Sequence, residues 1–342
     1  MDRTGHIGQP GPLHDFYHLV WSYTVTGALM AANRLGVFTA LASGPASGAE
    51  VAARCGTRPD WTEKLLVACL ALGLVDRRDG RYRNTPFADR YLVQGRPEYQ
   101  GEIIEHQARW ERWQELDYYI RTGQRGPREA RDKAEMSESD RAEAHRTWIL
   151  AMHNIAMAGQ AEALANALDV SGRRLLFDVG GGPGTYAAVL CQRHPELRAV
   201  VLDLPETMPI AREVVARFNL LDRIELRAGD YLKDGYGEGN DVVLLSGVLH
   251  GETPDDCRLM LRKAHESLKP GGLVAVQEIL INDDRTGPLL PALFSLHMTF
   301  GAAYTGREIA DWLQASGFVD VQVRPLAGYS WLNALIVGVK PT

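Results

Sequence analysis

Apolar positions change their spacing near residue 171. Before it they recur at intervals of three and four. Tyr17, Val20, Trp21, Val25, Ala28, Leu29, Ala32, Leu35, Phe38 and Leu41 carry that spacing over 13–42, which predicts helix. Both long flanks of this stretch are apolar, so it is expected to pack against more than one surface. After Val170-Ser171-Gly172, short apolar runs at 174–179, 198–203, 223–227, 240–246 and 272–281 alternate with amphipathic stretches. That alternation predicts a doubly wound parallel sheet covered by helices. Two last runs, 319–325 and 332–339, are separated only by a turn at Ala327-Gly328-Tyr329. So little chain cannot hold a crossover helix, and the runs predict an antiparallel hairpin.

Residues 46–86 read as a winged helix-turn-helix. Ser47 is placed to cap a short helix from Gly48 to Arg54, and Cys55-Gly56 ends it. A second helix is expected to present Trp61, Leu65, Leu66, Cys69 and Leu70 on one face. A hairpin with Asp79-Gly80 at its turn follows. Such a motif invites a DNA-binding reading. Over 45–86, however, Arg54, Arg58, Lys64, Arg77, Arg78, Arg81 and Arg83 stand against Glu50, Asp60, Glu63, Asp76 and Asp79. The second helix offers Lys64 as its one basic side chain, too little for a phosphate backbone. Aromatic helical material continues over 87–125, including Trp110 and Trp113. The charged stretch 122–142 reads as an exposed break, and a helix is expected from about Asp140 to Leu168. The resulting division is 1–125, a connecting segment 126–170, and 171–342.

Composition narrows the class. The 342 residues are 45% hydrophobic and 23% charged, with a formal net charge of -6 and a pI near 6.0. This is a globular balance that argues against nucleic acid as the main partner. No run reaches the ~18 apolar residues of a membrane span, and the opening residues lack the apolar core of a signal peptide. Cys55, Cys69, Cys191 and Cys257 are far apart without a CxxC pair. They read as reduced thiols of a cytoplasmic protein, with no metal site.

The first run of the sheet leads into Gly180-Gly181-Gly182-Pro183-Gly184-Thr185. Glycines here let the backbone approach a ligand and turn tightly into a helix. Thr185 stands where a dinucleotide fingerprint has its third glycine. Asp178 suits a ligand with a cationic amino acid better than one with a pyrophosphate, whose charge it repels. Asp203, ending the second run, can accept ribose hydroxyls. Asp230 can accept an adenine amine, and Tyr231 can stack on the ring. These groups fall along one sheet edge, where open α/β sheets bind ligands.

With these motifs in place, the chain resembles the small-molecule O-methyltransferases of the caffeate and acetylserotonin type, including bacterial natural-product enzymes. The matching segments are DVGGGPGT (178–185), VVLDLP (200–205), AGDYL (228–232), VLH (248–250), LKPGG (268–272) and QEILI (277–281). ALMAANRLGVFTAL (28–41) and the winged-helix segment extend the match over most of the chain. The resemblance implies a Rossmann-like α/β methyltransferase sheet with a C-terminal antiparallel hairpin. A mostly helical winged-helix dimerisation domain precedes it, and the assembly is a homodimer. It implies S-adenosyl-L-methionine as methyl donor, leaving as S-adenosyl-L-homocysteine. Asp178, Gly180, Gly182, Gly184, Asp203, Leu204, Asp230, Tyr231 and Ser246 are the implied cofactor contacts.

Moving a methyl group from a sulfonium to a hydroxyl needs in-line placement and removal of a proton. A phenol ionises near pH 10 and an ordinary histidine near 6.5, so an imidazole is a suitable base. The resemblance makes His250 that base and Glu278 the acid that orients it. A carboxylate on an apolar strand needs such a partner. The chain departs from the family where His-Asp-Trp is replaced by His250-Gly251-Glu252, where a lysine is replaced by Ser246, and where Phe300–Thr305 lacks a second acid. Alternatives on the same fold are C- or N-methyl transfer and a non-methylating rearrangement. A winged-helix ligand sensor is a third. The substrate is expected to be a small aromatic or polyketide-like secondary metabolite. Met152, His153, Met157, Phe294, His297 and Met298 are expected to line its pocket, with His297 reading equally as a core histidine.

Overall fold

In the computed structural model, residues 13–107, 110–298, 301–326 and 332–342 are described, without the side chains of 13–15, 111, 112 and 297. The expected turn at 327–329, Phe300 and the His297 side chain lie outside the described residues. The chain forms two compact units, Met1–Ala108 and Arg109–Thr342.

The first unit is helical around a small hairpin. Its long helix, Leu13–Arg34, leaves Phe16, Tyr17, Leu19, Val20, Trp21 and Tyr23 exposed. The helix Gly48–Cys55 opens on a capping box, in which the Ser47 hydroxyl and the Glu50 carboxylate satisfy each other's backbone amides. Strands β1 (Val75–Arg78) and β2 (Arg81–Asn84) pair antiparallel. Asp79 and Gly80 both take positive φ, as the tight turn requires. One expectation fails: Trp61 does not join the buried face of the helix Pro59–Ala71 but is 63% exposed, with the Lys64 ammonium over its ring. The face that packs is Thr62-Leu66-Cys69, spaced i, i+4, i+7.

The second unit begins well before residue 126. The charged stretch is not a loose break: it folds into the helix Pro127–Glu135, whose first amides, Arg128 and Glu129, donate to the Glu115 carboxylate. The single helix expected over 140–168 is also interrupted. It runs Glu138–Ile155, passes through a π turn at Ala156–Gln160, and resumes at Ala161–Ala167. Gly159, at φ 114°, allows the kink.

The sheet follows the predicted runs. Its strands are β3 (Leu175–Val179), β4 (Arg198–Asp203), β5 (Ile224–Ala228), β6 (Asn240–Ser246), β7 (Leu268–Glu278), β8 (Val319–Pro325) and β9 (Ala334–Val339), in the order β5-β4-β3-β6-β7-β9-β8. The first five are parallel, and β9 is antiparallel to both β7 and β8. The central strands read as unbroken apolar runs because both faces are covered. Phe177, Val179, Val243, Leu245, Val274 and Val276 feed one core, while Leu176, Val201, Val242, Leu244 and Ala275 feed the other. Strand order reverses between β3 and β6, so their carboxyl ends open on the crevice where such sheets hold ligands.

Candidate active site

The loop after β3 is shaped by glycine. Gly180, Gly182 and Gly184 take φ of 61°, 52° and 73°, a region costly for side chains with a Cβ. Gly181 is required for space: a Cβ there would lie 2.6 Å from Asp178 Oδ2 and 2.9 Å from Val201 Cγ1. Asp203, at the end of β4, ties the loop down. Its Oδ2 accepts the Gly182 amide and its Oδ1 the Leu204 amide, both at 2.8 Å.

Beneath this loop Asp178 is wholly buried, and neither carboxylate oxygen has a hydrogen-bond partner among the described residues. Burial and the charge of Asp203 push its carboxyl up to about 8. The helix Thr185–Arg193 starts here with no side-chain cap. The buried, unpartnered Asp178 carboxyl fits a ligand that carries positive charge, while the three left-handed glycines allow close backbone approach and the uncapped helix start offers amides to a ligand carboxylate. S-adenosyl-L-methionine, a sulfonium with an ammonium group, meets that description.

Across the crevice, His250 sits in the short turn Leu249–Gly251 after β6. Its Nδ1 is 2.7 Å from Glu278 Oε2, and its backbone amide donates to Glu278 Oε1 at 3.3 Å. The Ile279 amide donates to Glu278 Oε2 at 3.1 Å. A carboxylate bonded to Nδ1 makes that nitrogen the protonated one and leaves Nε2 with a lone pair. The Phe294 ring meets the imidazole edge-on at 4.9 Å between centroids. Gly301 packs so closely on the His250 carbonyl that a Cβ there would lie 1.9 Å from it. The turn is therefore fixed from both sides.

The remaining expected contacts divide. Ser246, at the end of β6, donates to Gln277 Oε1 at 2.9 Å. Asp230 is engaged by Lys233 at 2.8 Å and by the Leu232 amide. The Tyr231 ring stands beside Gly180, with its hydroxyl bonded to Glu252. Met152, Met157 and Met298 are half-buried. His153 packs at the start of the helix Thr185–Arg193. It is buried, with Nδ1 2.8 Å from the Thr185 hydroxyl and its ring edge-on to Phe218, and burial lowers its imidazole to about 4. The structure thus makes it a neutral brace of the glycine loop.

Sequence reasoning missed Tyr186 and Gln160. The Tyr186 hydroxyl donates to Gln160 Oε1 at 3.1 Å, joining the π turn to the glycine loop. Tyr186 also packs against the buried cluster of Ile279, Ala303 and Leu332. The available signal was a Gly-Gln pair interrupting a helical pattern.

Two family models match this chain. An O-methyltransferase domain covers residues 130–319 and an O-methyltransferase dimerisation domain covers 17–94. The chain belongs to the O-methyltransferase family. This O-methyltransferase is 37% identical over 321 residues to the 3-hydroxy-5-methyl-1-naphthoate 3-O-methyltransferase of Streptomyces sahachiroi, with 92% of each chain covered. It is 32% identical over 344 residues to the tetracenomycin polyketide synthesis 8-O-methyl transferase of Streptomyces glaucescens, with 98% of each covered. Among solved structures it is similar to human N-acetylserotonin methyltransferase in complex with SAM. That match has a TM-score of 0.87 and 28% identity, over 98% of this chain and 99% of the other. No described helix of this O-methyltransferase is long and apolar enough to cross a membrane.

Proposed function

We propose that this O-methyltransferase methylates a hydroxyl of a small aromatic or polyketide-like metabolite, using S-adenosyl-L-methionine and His250 as general base. The observation that carries this reading is the His250–Glu278 pair on the same sheet edge as the glycine loop. The cofactor supplies an electrophilic methyl group. Asp178, Gly180, Gly182, Gly184, Asp203, Leu204, Asp230, Tyr231 and Ser246 are the residues that would hold it. Nε2 of His250 takes the hydroxyl proton as the oxygen attacks, and Glu278 stabilises the imidazolium that forms. Met152, Met157, Phe294 and Met298 supply apolar walls, which suits a planar acceptor. The naphthoate and polyketide acceptors in the names of the two Streptomyces relatives support that class.

The protein acts as a homodimer in the cytoplasm. The apolar face of Leu13–Arg34 falls largely within the matched dimerisation domain and is the expected contact between copies. The deciding experiment incubates the protein with labelled S-adenosyl-L-methionine and a panel of naphthols, hydroxynaphthoates and anthraquinone phenols. Label must appear on a phenolic oxygen, with S-adenosyl-L-homocysteine formed in equal amount. Label on carbon or nitrogen, or no transfer to any acceptor while the cofactor still binds, overturns the reading.

A further inference from the structure

The turn that carries His250 is too short to hold itself. Leu249–Gly251 is one short helical turn after β6, and so brief a turn closes few bonds of its own. The Gly251 amide donates to the Val248 carbonyl and the Glu252 amide to the Leu249 carbonyl, both at 3.1 Å. Glu278 fixes the His250 ring and amide, but the reach of Nε2 follows the backbone that carries the ring.

Two buried side chains grip that backbone, one on each side of His250. The Cys257 thiol, in the helix Pro254–Ser267, donates to the Leu249 carbonyl at 3.3 Å. The Tyr304 hydroxyl donates to the Glu252 carbonyl at 2.5 Å. Tyr304 is itself anchored. Its carbonyl accepts the Ile281 amide at 3.1 Å, and its ring meets Trp312 edge-on at 4.9 Å between centroids. Thr305, beside it, opens the helix Gly306–Ala315 with a capping box. Burial pushes the Tyr304 phenol up, so it stays a donor at neutral pH. Residues 301–305, Gly-Ala-Ala-Tyr-Thr, bring no acid to the turn. What they bring is Gly301 packed on the His250 carbonyl, and this hydroxyl.

We propose that Tyr304, with Cys257, is a positioning residue for methyl transfer: the two bonds to the carbonyls flanking His250 set where Nε2 meets the acceptor hydroxyl. The inference rests on the reading of His250 as general base. Neither side chain touches the reacting atoms. A base must come within about 2.6–3.2 Å of the oxygen whose proton it takes, and a misplacement of about 1 Å can cost about 10²-fold. An acceptor that is already ionised has no proton to give, so its methylation should be indifferent to the clamp.

The test compares wild type with Tyr304→Phe, which keeps the ring against Trp312. Two acceptors are used: the naphthol of the panel above that is methylated fastest, and its nitro-substituted analogue, which is ionised at neutral pH. Turnover of the naphthol should fall about tenfold in Tyr304→Phe, while that of the nitro analogue should fall less than about twofold. The loss should lie in kcat, with KM for S-adenosyl-L-methionine and calorimetric affinity for S-adenosyl-L-homocysteine within about twofold of wild type. Cys257→Ala should show the same selective loss to a smaller degree, since a thiol is a weak donor. Cys257→Ser, which restores a donor, should recover most of it. Equal losses on both acceptors, or normal turnover of the naphthol in Tyr304→Phe, overturns the proposal. His250→Ala in the same assay separates clamp from base: it should lose the naphthol reaction and keep most of the nitro reaction. If it keeps both, the reading of His250 as base fails, and the proposal with it.

Discussion

Two carboxylates on one edge of one sheet are treated in opposite ways. Glu278 is almost fully buried, and its oxygens accept from the His250 ring, the His250 amide and the Ile279 amide. Asp178 is as deeply buried and has no partner for either oxygen among the described residues. The first is a completed acid–base arrangement that needs nothing from outside to hold its shape. The second is an incomplete one: burial favours its protonated form, and a neighbouring positive charge would favour the carboxylate. On the proposed reading, the half of the crevice that would do the acid–base work is already hydrogen-bonded into place, whereas Asp178, in the half that would take the cofactor, is not. Such a division lets ligand binding energy be spent where the ligand is charged and keeps the base aligned throughout.

The largest expected effect tests the completed half. His250→Ala should lower turnover about 10²–10⁴-fold, the usual worth of a positioned base. Affinity for S-adenosyl-L-homocysteine should stay within about twofold, because no loop contact depends on the imidazole. Single-turnover rates beside calorimetry check both. Near-normal turnover in the variant across pH 6–9 would remove His250 from the chemistry.

Next in size is the incomplete half. The carboxyl of Asp178 is raised to about 8 in the fold, from about 3.8. The folded state therefore binds a proton that the unfolded state has released, and stability falls as pH rises from about 4 to about 8. Asp178→Asn, which cannot ionise, should be more stable than wild type at pH 8 by on the order of a few kcal/mol and closer to it at pH 5. Thermal melts across that range read the difference. S-adenosyl-L-methionine should narrow the gap by stabilising the ionised wild type, and it should bind the variant more weakly. Parallel melting curves for the two proteins would mean that Asp178 stays charged and compensated.

Much of this contrast was legible in the sequence. The strand periodicity located β3 to β9 within a few residues, and acids at strand ends marked the edge. Glu278 was readable because a lone acid in an apolar run demands a partner. The failures have a common cause. The helix 127–135 was hidden because its apolar content is low and its start is stabilised by Glu115, twelve residues from its first turn. Trp61 was grouped by spacing with Leu65, Leu66, Cys69 and Leu70, yet the buried residues of that helix are Thr62, Leu66 and Cys69. The Gly159-Gln160 interruption marked a break in the helix, but the bond from Tyr186 to Gln160 spans 26 residues and no local spacing encodes it.

Glu278→Gln should come third. The amide keeps an acceptor for His250 Nδ1 but loses the charge that stabilises imidazolium. Turnover should fall about 10- to 100-fold, less than in His250→Ala, the usual range for a group that orients a reactive imidazole. The two substitutions combined should cost little more than His250→Ala alone, since they act through one unit. Additive losses in that double variant would show that Glu278 has a separate task.

The smallest effect concerns His153, which braces the glycine loop through Thr185. Burial lowers its imidazole to about 4 from about 6.5. The unfolded chain therefore takes up a proton in a range where the folded protein does not. The contribution of His153 to stability is full above about pH 6.5 and is lost as pH falls toward 4. At pH 5.5 the expected loss is about 1 kcal/mol. His153→Gln retains a hydrogen-bonding group for Thr185 and removes the titration, so it should lose less stability than wild type between pH 6.5 and 5. Asp178, in the strand that leads into that loop, acts with the opposite slope. The double variant with Asp178→Asn should therefore show a flatter stability profile between pH 5 and 8 than either single variant. If His153→Gln follows the wild-type acid limb without separation, the imidazole is protonated in the fold, and the brace is an ion in place of a neutral ring.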